Sequence, residues 1–404
     1  MNELRTIQPA AIHDAATALL TDLCSISSES GNAAGIRQVG ERLGTELASR
    51  GFTIEIRELP GAGDAPLPVL HARTPMTGGP RLLLVGHLDT VLPASPPRLD
   101  GRRLFASGAL DMKAGFAMFV AALDMLAARR DGPLVDVELL GVPDEESGSR
   151  VSAAAVREAS RGVRALLVLE PGGVTGGKET LVAGRRGMTD WTLEATGRPS
   201  HSGLAFWSGR SALAAAADWS RRAHALSRPE HGPTVNVARL LAGTAAFVDR
   251  LETSHTLFGT ARHRNVVPDR ARAEGEVRYL SESEGKEVLA TLARLAHEIG
   301  RENEIDLRFT TGGSIAPVDP RGPGVRLVER TMELAAARGF ELVVEEDRGG
   351  ISFPNYLEDP GRIAVLDGLG PVGDGMHTHE EWVDLDSLRR RIVLLADLFM
   401  ILAD

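Results

Sequence analysis

Hydrophobic and polar positions divide the chain into two textures. In the first half, short apolar runs alternate with segments of helical spacing. Arg81–Val85 (RLLLV) is a short apolar run suited to a buried strand, and Val135–Val142 and Ala165–Leu169 read as two more buried strands. Ala10–Cys24, Ala34–Arg50 (closed by Gly51) and Met112–Ala128 read as helices. Phe52–Arg57 alternates as a strand, and Gly61–Pro68 reads as a Gly/Pro loop. This rhythm predicts an α/β fold: an open, mostly parallel sheet flanked by helices.

The texture changes after Gly184-Arg185-Arg186-Gly187. Thr189–Thr196 and Ala271–Leu280 alternate as half-exposed strands, accompanied by helices Ser211–Leu226 and Glu282–Gly300 and a strand Thr234–Leu240. From about Pro317 the first rhythm returns: helix Val325–Arg338, strands Glu341–Glu345 and Arg362–Leu366, helix Leu385–Leu402. The expected organisation is a discontinuous domain, residues 1–186 and 317–404, with a smaller α+β domain, residues 187–316, inserted in it.

Composition narrows the function classes. The 404 residues are 43% hydrophobic and 25% charged, an ordinary globular balance. A net charge of −10 provides no basic footprint for nucleic acid or an anionic membrane. The single cysteine, Cys24, excludes an intrachain disulfide and a Cys-ligated metal site, and reads as a core residue. There is no apolar run of about 18 residues, so no transmembrane helix is expected. Met1–Arg5 lacks the profile of a signal peptide, so the expected compartment is the cytoplasm.

Five segments near predicted strand ends carry acids or histidines: Gly86-His87-Leu88-Asp89, Gly108–Lys113 with Asp111, Pro143–Gly148 with Glu145 and Glu146, Leu169-Glu170-Pro171, and Gly375–Glu381 with His377 and His379. Taken singly, an Asp opening a helix is usually an N-cap, and adjacent acids usually form a solvated turn. Together they would converge at the carboxyl ends of the strands, where open α/β sheets bind ligands. Two histidines and several carboxylates make an N/O donor set that suits Zn²⁺ or Co²⁺ and admits Mn²⁺. A metal pair needs one shared carboxylate, and a spare carboxylate can take a proton from water. His87 and Asp89 point the same way along a strand, so Asp89 can hold the imidazole tautomer.

These segments, with Gly197–Gly203 (GRPSHSG), Asn265–Pro268 (NVVP) and Glu276–Arg278 (EVR), run nearly the length of the chain. The set resembles the dinuclear zinc exopeptidase family that includes glutamate carboxypeptidase, succinyl-diaminopimelate desuccinylase and acetylornithine deacetylase. The resemblance implies two Zn²⁺ per subunit. Asp111 would bridge them, His87 and Glu170 would ligate one, and Glu146 and His377 the other. It makes Glu145 the general base and Asp89 the support of His87, and implies a cis bond at Asp111–Met112. It also implies a homodimer built on the inserted lid domain, with His201 and Asn265 reaching the partner's site. Arg278 would grip a substrate carboxylate.

Three departures from the family pattern bear on the substrate. Phe206-Trp207 stand where Pro-Glu is usual, Phe353 stands for an Asp in Gly349–Asn355, and Ala246–His263 looks like an extra stretch. Gly350 and Phe353 are expected to line the substrate pocket, Phe353 as an apolar wall, while Trp207 is assigned to core or dimer packing. His13, His224 and His297 fall in predicted helices, whereas His71, His231, His255 and His263 are assigned to loops or exposed edges. The sequence thus reads as a metal-dependent hydrolase of a small N-acyl amino acid or dipeptide with a free carboxylate. The rivals are an aminopeptidase-type dipeptidase and a non-catalytic dimeric binding protein with a vestigial site. The complete donor set plus Glu145 opposes the last.

Overall fold

The computed structural model describes residues 9–61, 66–129, 135–254 and 265–403. The chain divides into two compact units, Met1–Arg185 with Pro320–Asp404, and Arg186–Asp319.

The first unit is built on a six-stranded sheet in the order Thr53–Leu59, Leu67–Arg73, Asp136–Val142, Arg81–His87, Ala165–Val168, Ala364–Leu366. The last four are mutually parallel, and the first two add an antiparallel edge. Leu82, Leu83, Leu84 and Val85 are all fully buried, so both faces of the central strand are covered. Helix Ala114–Ala128 is apolar on nearly every side and packs between Pro9–Cys24 and Leu385–Leu402. Truncating one such leucine to alanine costs about 2–5 kcal/mol, a large share of a typical stability of about 5–15 kcal/mol. The sheet is therefore the rigid platform for whatever its loops carry. The strand order reverses around Arg81–His87, with Asp136–Val142 on one side and Ala165–Val168 on the other. That switch point opens a crevice at the strands' carboxyl ends.

Leu67–Arg73 falls partly where a loop was expected. Pro68 lacks an N–H, but it faces only Glu58, because the pairing with Asp136–Val142 begins at Leu70. His71, expected at an exposed edge, is buried in this strand and bonds Glu138 at 3.2 Å.

The second unit is a four-stranded antiparallel sheet in the order Thr234–Gly243, Arg270–Tyr279, Gly187–Thr196, Asp306–Ile315. Helices Ala212–His224 and Glu282–Asn303 cover one face around Trp191 and Trp219, whose rings meet edge-on at 5.0 Å. Asp306–Ile315 escaped sequence reading because Thr310-Thr311-Gly312-Gly313 interrupts its alternation; the register slips there against Gly187–Thr196. Residues 246–254 of the extra stretch lie in helix Ala245–Ser254, and the rest of it, with His255 and His263, lies outside the described residues. Among the described residues no helix is long and apolar enough to cross a membrane. Cys24 is buried, and burial pushes its thiol up to about 12.

Candidate active site

The crevice at the switch point collects the predicted residues of the first unit. His87 ends the central strand, Glu170 follows its right-hand neighbour, and the 144–148 turn follows its left-hand one. Gly86 lets Met112 pack close beside His87: a Cβ there would sit 2.4 Å from Met112 Cε, and the methionine would have to move. Met112 Sδ in turn accepts the His87 N–H at 3.1 Å.

His87 Nδ1 meets the backbone carbonyl of Asp89 at 2.9 Å. A carbonyl can only accept, so Nδ1 carries a proton, and this bond turns Nε2 toward the acids. The Asp89 carboxylate, expected to hold the ring, lies farther off at 3.5 Å. It accepts instead from the backbone N–H groups of Glu145 (3.2 Å) and Glu146 (3.3 Å) and from Ser30 Oγ (2.7 Å). Asp89 thus braces the turn that carries both glutamates.

Asp111 stands at the centre. Its Oδ1 lies 3.0 Å from His87 Nε2 and its Oδ2 lies 3.3 Å from His377 Nε2. Glu170 joins the first arm, 3.7 Å from His87 Nε2, and Glu146 joins the second, 3.2 Å from His377 Nε2. The Asp111–Met112 peptide bond is cis. His377 is carried by a loop between the short strands Gly373–Asp374 and Trp382–Asp384 of a small antiparallel sheet. His379 is exposed on the same loop.

The electrostatics describe a site short of positive charge. Burial pushes Glu146 up to about 7, with the Asp111 charge adding to it against His87. Burial, then Asp111, raises Glu170 well above the carboxylate range, and burial raises Glu145. The hydrogen bond to Asp111 lifts His377 to about 9. Burial would lower His87, but Glu170 and Asp111 outweigh it and hold the imidazole well above its usual value. Glu146 Oε1 is buried with no hydrogen-bond partner. An orphaned carboxylate oxygen among N/O donors fits a bound divalent cation. His87, Asp111 and Glu146 offer ligand atoms that all lie within 4.8 Å of one another.

In the Asp144-Glu145-Glu146 turn each carboxylate has a different partner. Asp144 accepts from Val151 N at 2.8 Å and Ser152 N at 3.0 Å, and from Ser152 Oγ, tying the turn to helix Ser152–Ala159. Glu146 faces His377. Glu145, half-buried, keeps its carboxylate out of every hydrogen bond and ion pair among the described residues.

In the second unit, His201 and Asn265 are neighbours through the backbone: His201 bridges Val266, and Ser202 N donates to Asn265 O at 2.9 Å. Both residues are exposed. His201 Nδ1 accepts from Gly203 N (3.1 Å) and Leu204 N (3.2 Å), which leaves Nε2–H as the outward donor.

Two expectations, for Phe353 and Trp207, need correction, and Arg278 meets a competing partner. Phe353 is fully buried, its ring centroid 6.4 Å from that of His87, so it packs beside the histidine and presents no wall to a ligand. The Arg278 fork is already engaged by Glu276, at 3.0 and 3.2 Å, because residues two apart share a strand face. Trp207 is no core residue: it is 88% exposed and stacks edge-on against exposed Phe206. Gly350 is exposed, and its carbonyl lies 3.4 Å from Arg185 Nη1. Sequence reading also missed Glu381, whose buried carboxylate accepts from Gly108, Leu110 and Asp111 N–H groups. Its place beside Glu380 gave it the look of a solvated pair.

Residues 83–401 match peptidase family M20/M25/M40. Carboxypeptidase G2 of a Pseudomonas species is 28% identical over 97% of this chain and 89% of its own. A succinyl-diaminopimelate desuccinylase of Rhodospirillum centenum is 27% identical over 86% of this chain and 88% of its own. Among solved structures, aminopeptidase PepT of Bacillus cereus superposes with a TM-score of 0.75 at 20% identity, covering 97% of this chain and 99% of that one. An M20 family metallo-carboxypeptidase of Sulfolobus solfataricus gives a TM-score of 0.63 at 16% identity, covering 96% and 99%. The structural likenesses carry the fold expected from the sequence, a mostly parallel sheet with an inserted smaller domain.

Proposed function

Because the chain belongs to peptidase family M20/M25/M40, and so is a metal-dependent hydrolase of amide bonds, we propose that it cleaves small N-acyl amino acids or dipeptides bearing a free carboxylate, as a homodimer with two Zn²⁺ per subunit. The observation that carries the reading is Asp111, with one oxygen toward each of two histidines, each histidine backed by its own glutamate. His87 and Glu170 would hold one ion, Glu146 and His377 the other, and Asp111 both. Co²⁺ or Mn²⁺ would suit the same donors. Bound metal supplies Lewis acidity, polarising the amide carbonyl and making water a nucleophile near neutral pH.

The chain's own residues supply the rest. Glu145, free of partners and raised by burial, takes the proton of the attacking water and returns it to the leaving nitrogen. His201 Nε2–H donates to the developing oxyanion, in the partner's site if the dimer is of the family kind. Arg278 would exchange Glu276 for the substrate carboxylate. That exchange costs an existing ion pair, which favours as second reading an aminopeptidase-type dipeptidase using another anchor. The lone, buried, free Cys24 suits a reducing compartment, and we place the enzyme in the cytoplasm.

Chelation should abolish hydrolysis across a panel of N-acyl amino acids and dipeptides, and Zn²⁺ or Co²⁺ should restore it; full activity in metal-free protein refutes the reading. Glu145→Gln should keep metal content near wild type while kcat falls about 10²–10⁴-fold. If it loses metal while Glu146→Gln keeps it, the two roles are exchanged.

A further inference from the structure

Glu381 has a task that no role above covers. Its carboxylate is 4% exposed and gathers three backbone N–H groups from one distant loop. Oε2 accepts from Gly108 at 2.9 Å, and Oε1 accepts from Leu110 at 2.8 Å and Asp111 at 2.9 Å. Its main-chain carbonyl accepts from Ala106 at 3.2 Å, and its N–H donates to the Thr378 carbonyl at 3.3 Å. One residue therefore clamps the loop that carries Asp111 to the loop that carries His377. Gly108 makes this convergence feasible: its φ of +74° suits glycine, and a Cβ there would sit 2.6 Å from Thr90 Cγ2. Hydrogen bonds to a charged acceptor are about twice as strong as neutral ones, so three of them fix the spacing firmly.

The two histidines differ in how much they need such a clamp. His87 is 1% exposed, seated in the central strand and bonded to the Asp89 carbonyl. The His377 side chain is 53% exposed, on a residue with φ of +65°. Burial does not hold His377 in place, so its 3.3 Å approach to Asp111 depends on the loop. We propose that Glu381 is a positioning residue: it sets the separation of Asp111 and His377 and thereby the metal affinity of the Glu146–His377 arm above all, since the His87–Glu170 arm shares Asp111 but has a histidine seated independently of the clamp. This rests on the metal reading of the preceding section.

The test is a zinc titration of chelator-stripped protein, with kinetics and the unfolding midpoint of the metal-free form. In Glu381→Gln the amide NH₂ would meet an N–H donor where an acceptor stood. One of two zinc affinities should fall about 10–100-fold, the range for losing a partner that orients a ligand, and the other by less. In that variant kcat should fall with KM little changed. Glu381→Asp, which keeps the charge, should recover part of both, and serves the same titration if the Gln variant does not fold. A Glu381→Gln protein that binds two zinc ions as tightly as wild type, with only its metal-free midpoint lowered, overturns the role and leaves a structural tie. Wild-type protein that binds no metal overturns the metal reading, and this role with it.

Discussion

His87 and His201 show two ways of holding a functional imidazole. His87 is buried, bonded at Nδ1 to a carbonyl and faced at Nε2 by Asp111. His201 sits exposed on a loop whose next large residues, Leu204, Phe206 and Trp207, are 87%, 52% and 88% exposed; of its ring nitrogens Nδ1 is engaged, by two N–H groups of its own turn. The first arrangement spends side-chain entropy at folding, so a cation meets ligands already in place. The second fixes which nitrogen donates and little else. Substitutions of the side chains packed around His87 should therefore be read through metal content and stability, and His201 substitutions through kinetics.

The largest effect that could break this contrast concerns His201. Removing one oxyanion donor typically costs about 10²–10³ in kcat, so His201→Ala should lose that much while metal content and the unfolding midpoint stay put. Mixing His201→Ala with Glu145→Gln subunits should regenerate some activity, since one hybrid site has both residues. Verified heterodimers with none would place His201 in its own subunit's site or outside catalysis.

A middling effect tests the firmness of the catalytic unit. Asp397 accepts from Arg338 Nε at 2.7 Å and Nη2 at 2.8 Å and from Arg129 Nη1 at 2.6 Å. Burial would raise its pKa, but the two arginines outweigh burial and hold it below the usual aspartate value. The folded state thus binds fewer protons than the unfolded one. The stabilisation is complete above the unfolded pKa and is lost as pH falls through the folded one. Asp397→Asn should cost about 1.5–3 kcal/mol at pH 7, the worth of hydrogen bonds to charge, and flatten the acid limb of the stability curve. Urea melts from pH 7 downward would show it; an equally steep acid limb in the variant would count against it.

The smallest effect is the sharpest probe of the His201 loop. Trp207→Ala should change stability by no more than about 0.5 kcal/mol, as for exposed positions generally. A loss well beyond that in urea melts would mean that the ring is covered in solution.

Much of this was legible because ligand positions are tied to strand ends. His87, Glu170 and the Asp144–Glu146 turn each end or follow a short buried strand, and a strand read from its length and flanking turn residues places its next residues at the sheet's end. Features set by long-range geometry were not legible. Phe353 in sequence says only that a ring replaces an acid, whereas its burial beside His87 depends on how the 349–355 loop folds back. Glu381 bonds a loop 270 residues away at Asp111, and no local pattern marks such a contact. Leu67–Arg73 hid because Pro68 mimics a loop until its pairing partners are known.

The Asp144-Glu145-Glu146 turn has a consequence for what the chain can tolerate. Three successive carboxylates differ by position, Asp144 anchoring the turn, Glu146 facing His377 and Glu145 lying between them, and all three share one side-chain chemistry. Point substitution among them can leave charge and helix start nearly intact. A single-residue deletion or insertion, by contrast, shifts every acid into its neighbour's place and keeps the local composition almost unchanged. Such a frame slip would be invisible to any comparison of charge or hydropathy. In a library that varies length around this segment, tolerated indels should fall at exposed Ser147 and Gly148 and spare the three residues before them.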